Sequence, residues 1–508
     1  METLRISTRT YTAGDFAPLF SGPTRINLAG SSVKNLNQSH KRLQEIIVSG
    51  KTIYGVNTGF GNLSHIHIDQ EDQFTLQLNL VRSHAAGVGA PLEPGLVRTT
   101  MVLKLLTYVK GFSGVRLALA EKMIQFLNKD IIPLIPEKGS VGASGDLAPL
   151  AHLALAIIGE GYVFYNGRKM RTAAALKNAR VTPLQLHPKE GLSLINGTQV
   201  STAMAVKALL AGHNLAACAD VTGALAVENS LSSRNVFRRD IHELKAHKGQ
   251  RDAARNVFKM LRGSKIVGSH SDCGKVQDPY SFRCIPHIHG ACRDSISGAA
   301  QMIHNEINSV SDNPLILTNS EVVSSGHFHA EHVAQAMDIL AISFSELGAI
   351  AERRIYYFMK GLPDVFPPFV AAKPGLESGY MMAHVTASAL ASENKTLAHP
   401  ASIDSLPTSG SQEDLVSMAP WAGRKLFQIQ KNLEIILAIE LLVATAVNHL
   451  AFKNLTPGKG TKPIMDLVHT ICDFESGDRV LSREIETLSE KIGSGEIQKT
   501  VTRHLKLN

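Results

Sequence analysis

Aromatic side chains make up only 6% of this 508-residue chain, which has a single tryptophan. No basic stretch therefore carries the interleaved rings on which nucleic-acid bases would stack. Lys and Arg number 52 against 44 Asp and Glu, a net charge of +8. That charge is scattered, so it permits an anionic small-molecule substrate and argues against nucleic acid as a partner. Cysteine is scarce: five residues, an odd number in a long chain, argue against a disulfide framework and for a reducing compartment. The opening residues Met1 to Arg5 lack an apolar core, so no secretory signal is expected. Long hydrophobic runs are missing too. The most apolar window, Ile435 to Phe452, is interrupted by Glu440, Asn448 and His449, and reads as a buried bundle helix with no membrane role.

Familiar cofactor motifs are also wanting. Gly458-Lys459-Gly460-Thr461 lacks the order of a phosphate loop, and the glycines from Gly55 to Gly61 have no flanking strand or acidic residue for a dinucleotide. Cys284, His287, His289 and Cys292, with Cys273 just upstream, have metal-like residue types, but their spacing matches no short zinc motif and no metal is expected. Gly142 to Asp146 lacks the closing glycine of a nucleophile elbow, which removes the best hydrolase candidate.

Strand-like alternation is sparse, and helical spacing dominates. Gln199 to Glu228, Ala334 to Tyr357 and Leu426 to Phe452 run without proline through apolar residues at helical intervals. Breaks fall at passages rich in glycine and proline, notably Gly55–Gly61, Gly87–Gly95 and Pro133–Gly145. The fold expected is mainly α: a loop-rich N-terminal part, residues 1–195, followed by a bundle of long helices, residues 196–508. Sites in such bundles are built from facing helices and the loops at their ends.

One loop stands out. Gly139-Ser140-Val141-Gly142-Ala143-Ser144-Gly145-Asp146 leads into Leu147, Pro149, Leu150 and Leu153, which predicts a helix capped by Asp146 and ended at Gly159 and Gly161. An unhindered Ala-Ser-Gly triplet thus sits at a positive helix end, where developing negative charge is favoured. Glycine lets its nitrogen approach the alanine carbonyl, and dehydration of the serine would leave a methylene conjugated to carbonyl groups. No ordinary side chain is an electrophile, so a protein needing one borrows or builds it.

The segment from Gly139 to His152 resembles the signature of the aromatic amino acid ammonia-lyases, the family acting on histidine, phenylalanine and tyrosine. The resemblance implies the ammonia-lyase/fumarase-like fold. It also implies that Ala143, Ser144 and Gly145 cyclise, with loss of two waters, to 4-methylidene-imidazole-5-one, with no external cofactor or metal. Further blocks extend the likeness over essentially the full length. Tyr54-Gly55-Val56-Asn57-Thr58-Gly59-Phe60-Gly61 implies Tyr54 as the base that takes the substrate's β-proton, although residue types alone favour a packed tyrosine at a glycine turn. A phenol is a poor base at neutral pH unless its surroundings lower its pKa. Ser83-His84 resembles the histidine-acting branch, so His84 is expected at the substrate ring, where an imidazole needs polar partners.

Asn196, at a turn entering a helix, is implied as a partner of the prosthetic group and substrate amine. Gln277, Tyr280 and Arg283 fall at i, i+3 and i+6, one face if helical. By resemblance Arg283 pairs with the substrate carboxylate, which suits its planar fork; Gln277 assists, and Tyr280 sits near the electrophile. Phe328 is implied against the prosthetic group, and Glu413, in Ser411-Gln412-Glu413-Asp414, faces the imidazole. Capping for Asn196 and a solvated acidic turn for Glu413 are the plainer readings of those two residues.

The chain also departs from the family pattern. Gly326-His327-Phe328-His329 carries histidine where asparagine is usual, Leu415 follows Asp414 where histidine is usual, and His287 and His289 are more basic than expected. The expected activity is conversion of L-histidine to trans-urocanate and ammonia, by a homotetramer whose pockets draw on several subunits. A histidine 2,3-aminomutase, or a lyase for another aromatic amino acid, would use the same electrophile. A catalytically silent bundle would not need the triplet and both tyrosines together.

Overall fold

Long apolar stretches without an interior proline become helices wherever they can be buried, and there are four among the described residues, two of them with a proline only in the first turn. A computed structural model describes residues 3–270 and 276–508, and of Asn62 the backbone alone. The long helices are Gln199–Asn229, Ile285–Ile307, Glu331–Met359 and Ala419–Ala451, so three of them follow the expected spans closely. Gln199–Asn229 is alanine-rich and almost wholly buried along its length. That is the signature of a core helix hydrophobic all round, where small side chains let neighbours approach. Glu331–Met359 and Ala419–Ala451 are long and apolar enough to cross a membrane, yet 72% and 83% of their most apolar windows are buried inside the protein. They are core helices.

Strands are short and few among the described residues. Thr3–Ile6 pairs in parallel with Arg25–Leu28; Val88–Pro91 pairs with Pro136–Lys138; Ile132–Pro133, Tyr162–Tyr165 and Arg168–Arg171 form a three-stranded antiparallel sheet; Leu315–Ile316 pairs with Val322–Val323. All serve to order loops around the helices.

The chain gathers into two compact units, each from three segments. Residues 1–210, 300–338 and 400–424 form the first; residues 211–299, 339–399 and 425–508 form the second. In the first, the helix Pro94–Val109 is buried from Gly95 to Val109. It carries two charges, Arg98 and Lys104, into the core; Arg98 pairs with Asp130 at 2.8 Å. In the second, the fully buried Arg354 makes a two-pronged ion pair with Glu440, and Asn448 Nδ2 donates to Asn229 Oδ1 at 3.0 Å. Such charges are tolerable only because each is paired.

Candidate active site

The first unit brings the triplet together with residues far away in sequence. Ser144 has φ +51° and Gly145 φ +77°, so two successive residues turn through the left-handed region just before the helix Leu147–Ile157. Gly145 lies in a parallel bridge with Gly197, and the Asp146 N–H donates to the Gly197 carbonyl at 2.8 Å. A Cβ placed on Gly145 would meet that carbonyl oxygen at 2.1 Å. Contact that close demands glycine. Gly145→Ala is therefore expected to destabilise the protein by about 3 kcal/mol or more, read as a shifted midpoint in denaturant unfolding.

Asp146 corrects one expectation. It precedes its helix as predicted, but its side chain makes no cap there. The carboxylate instead accepts from the Ser201 N–H at 2.8 Å and the Ser201 hydroxyl at 2.6 Å, and so caps the start of Gln199–Asn229. Burial pushes its pKa up to about 6, against those hydrogen bonds. The protonated form is thus favoured on folding. Its contribution to stability is complete below the ordinary value of 3.8 and is lost as pH rises through about 6. Relative to Asp146→Asn, the parent protein should lose on the order of 3 kcal/mol between pH 4 and 6.5, with the difference flat above; paired denaturant titrations at each pH measure it.

Asn196 ends the helix Glu190–Ile195 in an extended conformation. Its side chain does not cap: Oδ1 is buried without a hydrogen-bond partner. Its main-chain carbonyl accepts from Lys104 Nζ, which also donates to Gln199 Oε1 at 3.3 Å. Burial pulls the Lys104 ammonium down to about 7, opposed by the Asp312 carboxylate. A second buried lysine, Lys189, pairs with Asp312 at 3.2 Å. Sequence reasoning missed Lys104, Lys189 and Asp312. The available signal was a lone lysine inside the apolar run Met101 to Val109.

Glu413 is the most informative placement. Its Oε1 accepts from the Ser144 hydroxyl at 2.8 Å, across 269 residues of sequence, and its Oε2 accepts from the Thr408 hydroxyl at 2.8 Å. The turn that delivers it holds Ser409, Gly410 and Ser411 all at positive φ, strain of the kind that accumulates at functional sites. It is no solvated acidic turn.

His84 is the last residue of the helix Gln73–His84, with Nδ1 2.9 Å from the Leu80 carbonyl oxygen and 3.1 Å from the Ser83 hydroxyl. Burial lowers its pKa, while Leu80 and the charge of Glu413 pull the other way. The Glu413 charge thus favours the protonated ring. Tyr54 is half-buried; its hydroxyl accepts from the Gly61 N–H at 3.0 Å, and its ring meets Phe60 edge-on. Half-buried Phe328 sits two residues before Ala330, whose N–H donates to the Gly142 carbonyl at 3.3 Å.

Gln277, Tyr280 and Arg283 belong to the second unit. They do not share a helical face, because the helix spans only Tyr280–Arg283 behind Pro279, and Gln277 lies outside it. Tyr280 is 70% exposed, with the Arg283 guanidinium 4.8 Å from its ring centre. Arg283 Nε is buried without a partner. Arg354 donates to the Ser281 carbonyl at 3.4 Å and so braces this short helix. His289 is engaged in the core with Asp220 at 2.9 Å, and His287 packs edge-on to His242. Among the described residues no group of three or more His, Cys, Asp or Glu could hold a metal ion; Cys273 lies outside them. Of the departures in the first unit, His327 bonds Ser325 at 2.8 Å, and the Leu415 side chain is 64% exposed.

Family match and fold together place the chain among the carbon–nitrogen lyases of the ammonia-lyase class. Residues 12–470 match the aromatic amino acid lyase family, and the chain belongs to that family. It is 43% identical to the histidine ammonia-lyase of Desulfotalea psychrophila over 499 residues, 97% of this chain and 96% of the relative. Among solved structures it is similar to histidine ammonia-lyase from Trypanosoma cruzi, with TM-score 0.91, 35% identity, and coverage of 100% of this chain and 96% of that one. It is also similar to tyrosine aminomutase from Streptomyces globisporus, with TM-score 0.92, 32% identity and full coverage of both chains.

Proposed function

We propose that this protein is a histidine ammonia-lyase, converting L-histidine to trans-urocanate and ammonia. The observation that carries the reading is the carboxylate of Glu413, held against the Ser144 hydroxyl and within electrostatic reach of His84. A site that must seat an imidazole offers acceptors and a donor to the ring nitrogens, which would otherwise be buried unpaired. A phenyl ring would gain nothing from them.

The prosthetic group expected here is 4-methylidene-imidazole-5-one, made from Ala143, Ser144 and Gly145. The residues fit it. The backbone turns back at Ser144 and Gly145, the Gly197 carbonyl leaves no room for a side chain on the third residue, and the orphaned Asn196 Oδ1 adjoins Gly197. Once formed, the group supplies an electrophilic carbon for the substrate's amine. The chain's own residues do the rest. Tyr54 takes the β-proton at its phenolic oxygen, Glu413 and His84 hold the imidazole, Asn196 meets the amine, and Phe328 lies against the group. Arg283 grips the carboxylate as a bidentate partner, assisted by Gln277, with Tyr280 near the reacting carbon. A cytoplasmic homotetramer, with pockets drawing on several copies, completes the proposal.

Offering L-histidine, L-tyrosine and L-phenylalanine separately, and resolving products by mass spectrometry, tests it. Urocanate and ammonia from histidine should exceed products from the other two by about a hundredfold or more. Dominant β-histidine would instead assign a 2,3-aminomutase; the Streptomyces neighbour is named a tyrosine aminomutase.

A further inference from the structure

Making the electrophile is itself a reaction, and something must catalyse it. We infer that Glu413 is the acid–base that dehydrates Ser144, so that the carboxylate builds the group beside which it later works. The inference rests on the reading of the triplet given above. Ring closure needs little help once the turn is set: the Gly145 nitrogen bonds to the Ala143 carbonyl carbon, and the Ala143 oxygen leaves as water with the protons of the Gly145 and Ser144 N–H groups. The second water is harder. It must take the hydroxyl of Ser144, a poor leaving group unless protonated, together with the proton on the Ser144 Cα.

In the closed ring that Cα lies between a carbonyl and a C=N bond, which makes its proton removable. One carboxylate can then perform both halves. Glu413 takes the Cα proton, the electron pair forms the Cα=Cβ bond, the Cβ–Oγ bond breaks, and the same proton is delivered to Oγ as water departs. The carboxylate is regenerated, and no oxidant or reductant is needed.

The geometry singles out Glu413 for this task. Its Oε1 already holds the Ser144 hydroxyl at 2.8 Å, and its Oε2 is steadied by the Thr408 hydroxyl at 2.8 Å. The Thr408 N–H also donates to the Glu413 carbonyl at 2.9 Å, fixing the turn from the main chain. Asp146, the nearer carboxylate in sequence, is spoken for. Ser201 occupies both of its oxygens, inside the core. Both carboxylates stand near Ser144 in the chain or in space, but only one touches the oxygen that must leave.

The test reads mass rather than turnover. Full-length parent protein and Glu413→Gln are purified, checked for equal melting behaviour and oligomeric state, and weighed intact and as the peptide containing residues 139–152. The parent should be two waters lighter than the coded chain. In Glu413→Gln the fraction carrying both losses should fall at least tenfold, the remainder retaining the Ser144 hydroxyl. Glu413→Ala provides a second variant; it should also keep the hydroxyl, and added formate should raise its dehydrated fraction. Either variant carrying both losses in the parent's proportion overturns the inference and leaves the reading of the triplet standing. A parent chain with no loss of water overturns both.

Discussion

Replacing Ser144 with alanine removes turnover of L-histidine by roughly a thousandfold or more, at least about 4 kcal/mol of barrier, while leaving the protein folded. On the proposed chemistry, the serine's worth lies in the atoms it loses. With no hydroxyl to leave, no Cα=Cβ bond forms, and the chain keeps only nucleophiles and acids, none of which can accept the amine of a substrate. The hydroxyl's hydrogen bond to Glu413 belongs to the uncyclised chain, so its loss costs the mature protein nothing, and the variant should melt close to the parent. Alanine tolerates the left-handed backbone at this position about as well as serine does. Steady-state rates, paired with intact mass and a thermal melt, separate loss of the electrophile from loss of the fold.

Tyr54→Phe is the second large effect. It is expected to lower kcat by about 10²–10⁴-fold, the range for a positioned general base, and to leave KM for L-histidine within a few fold. The hydroxyl is the only group removed, and the contact it receives from the Gly61 N–H is lost from a loop rather than the core. The full deficit of two waters should persist in this variant, because Tyr54 has no part in making the group. Turnover at the parent rate would remove Tyr54 from the mechanism. A pH profile of the parent that loses its basic requirement in the variant would secure it.

Much of this was legible from residue order alone. Helical spacing located three of the long helices because each buries most of its apolar residues and none contains an interior proline to break the pattern. The triplet and its glycines could be read because close backbone approach admits no other residue at Gly145. What could not be read was who serves whom across the fold. Asp146 looked like the cap of the helix that follows it, yet it caps a different one through Ser201, a partner 55 residues away. Gln277, Tyr280 and Arg283 had helical spacing, but Pro279 starts the helix late and leaves Gln277 outside. Lys104 is invisible to any motif, since its role comes from lying beneath Asn196 in three dimensions. Glu413 gave no local hint of its hold on Ser144.

That hold also sets a clock. Ser144 and its carboxylate partner stand 269 residues apart, so a ribosome must deliver most of the chain before the two can meet. A nascent or truncated polypeptide ending short of Thr408 would carry an unremarkable serine, harmless to the thiols and amines around it. On the proposed chemistry, the hazard of carrying a reactive carbon would be deferred until the protein is long enough to enclose it.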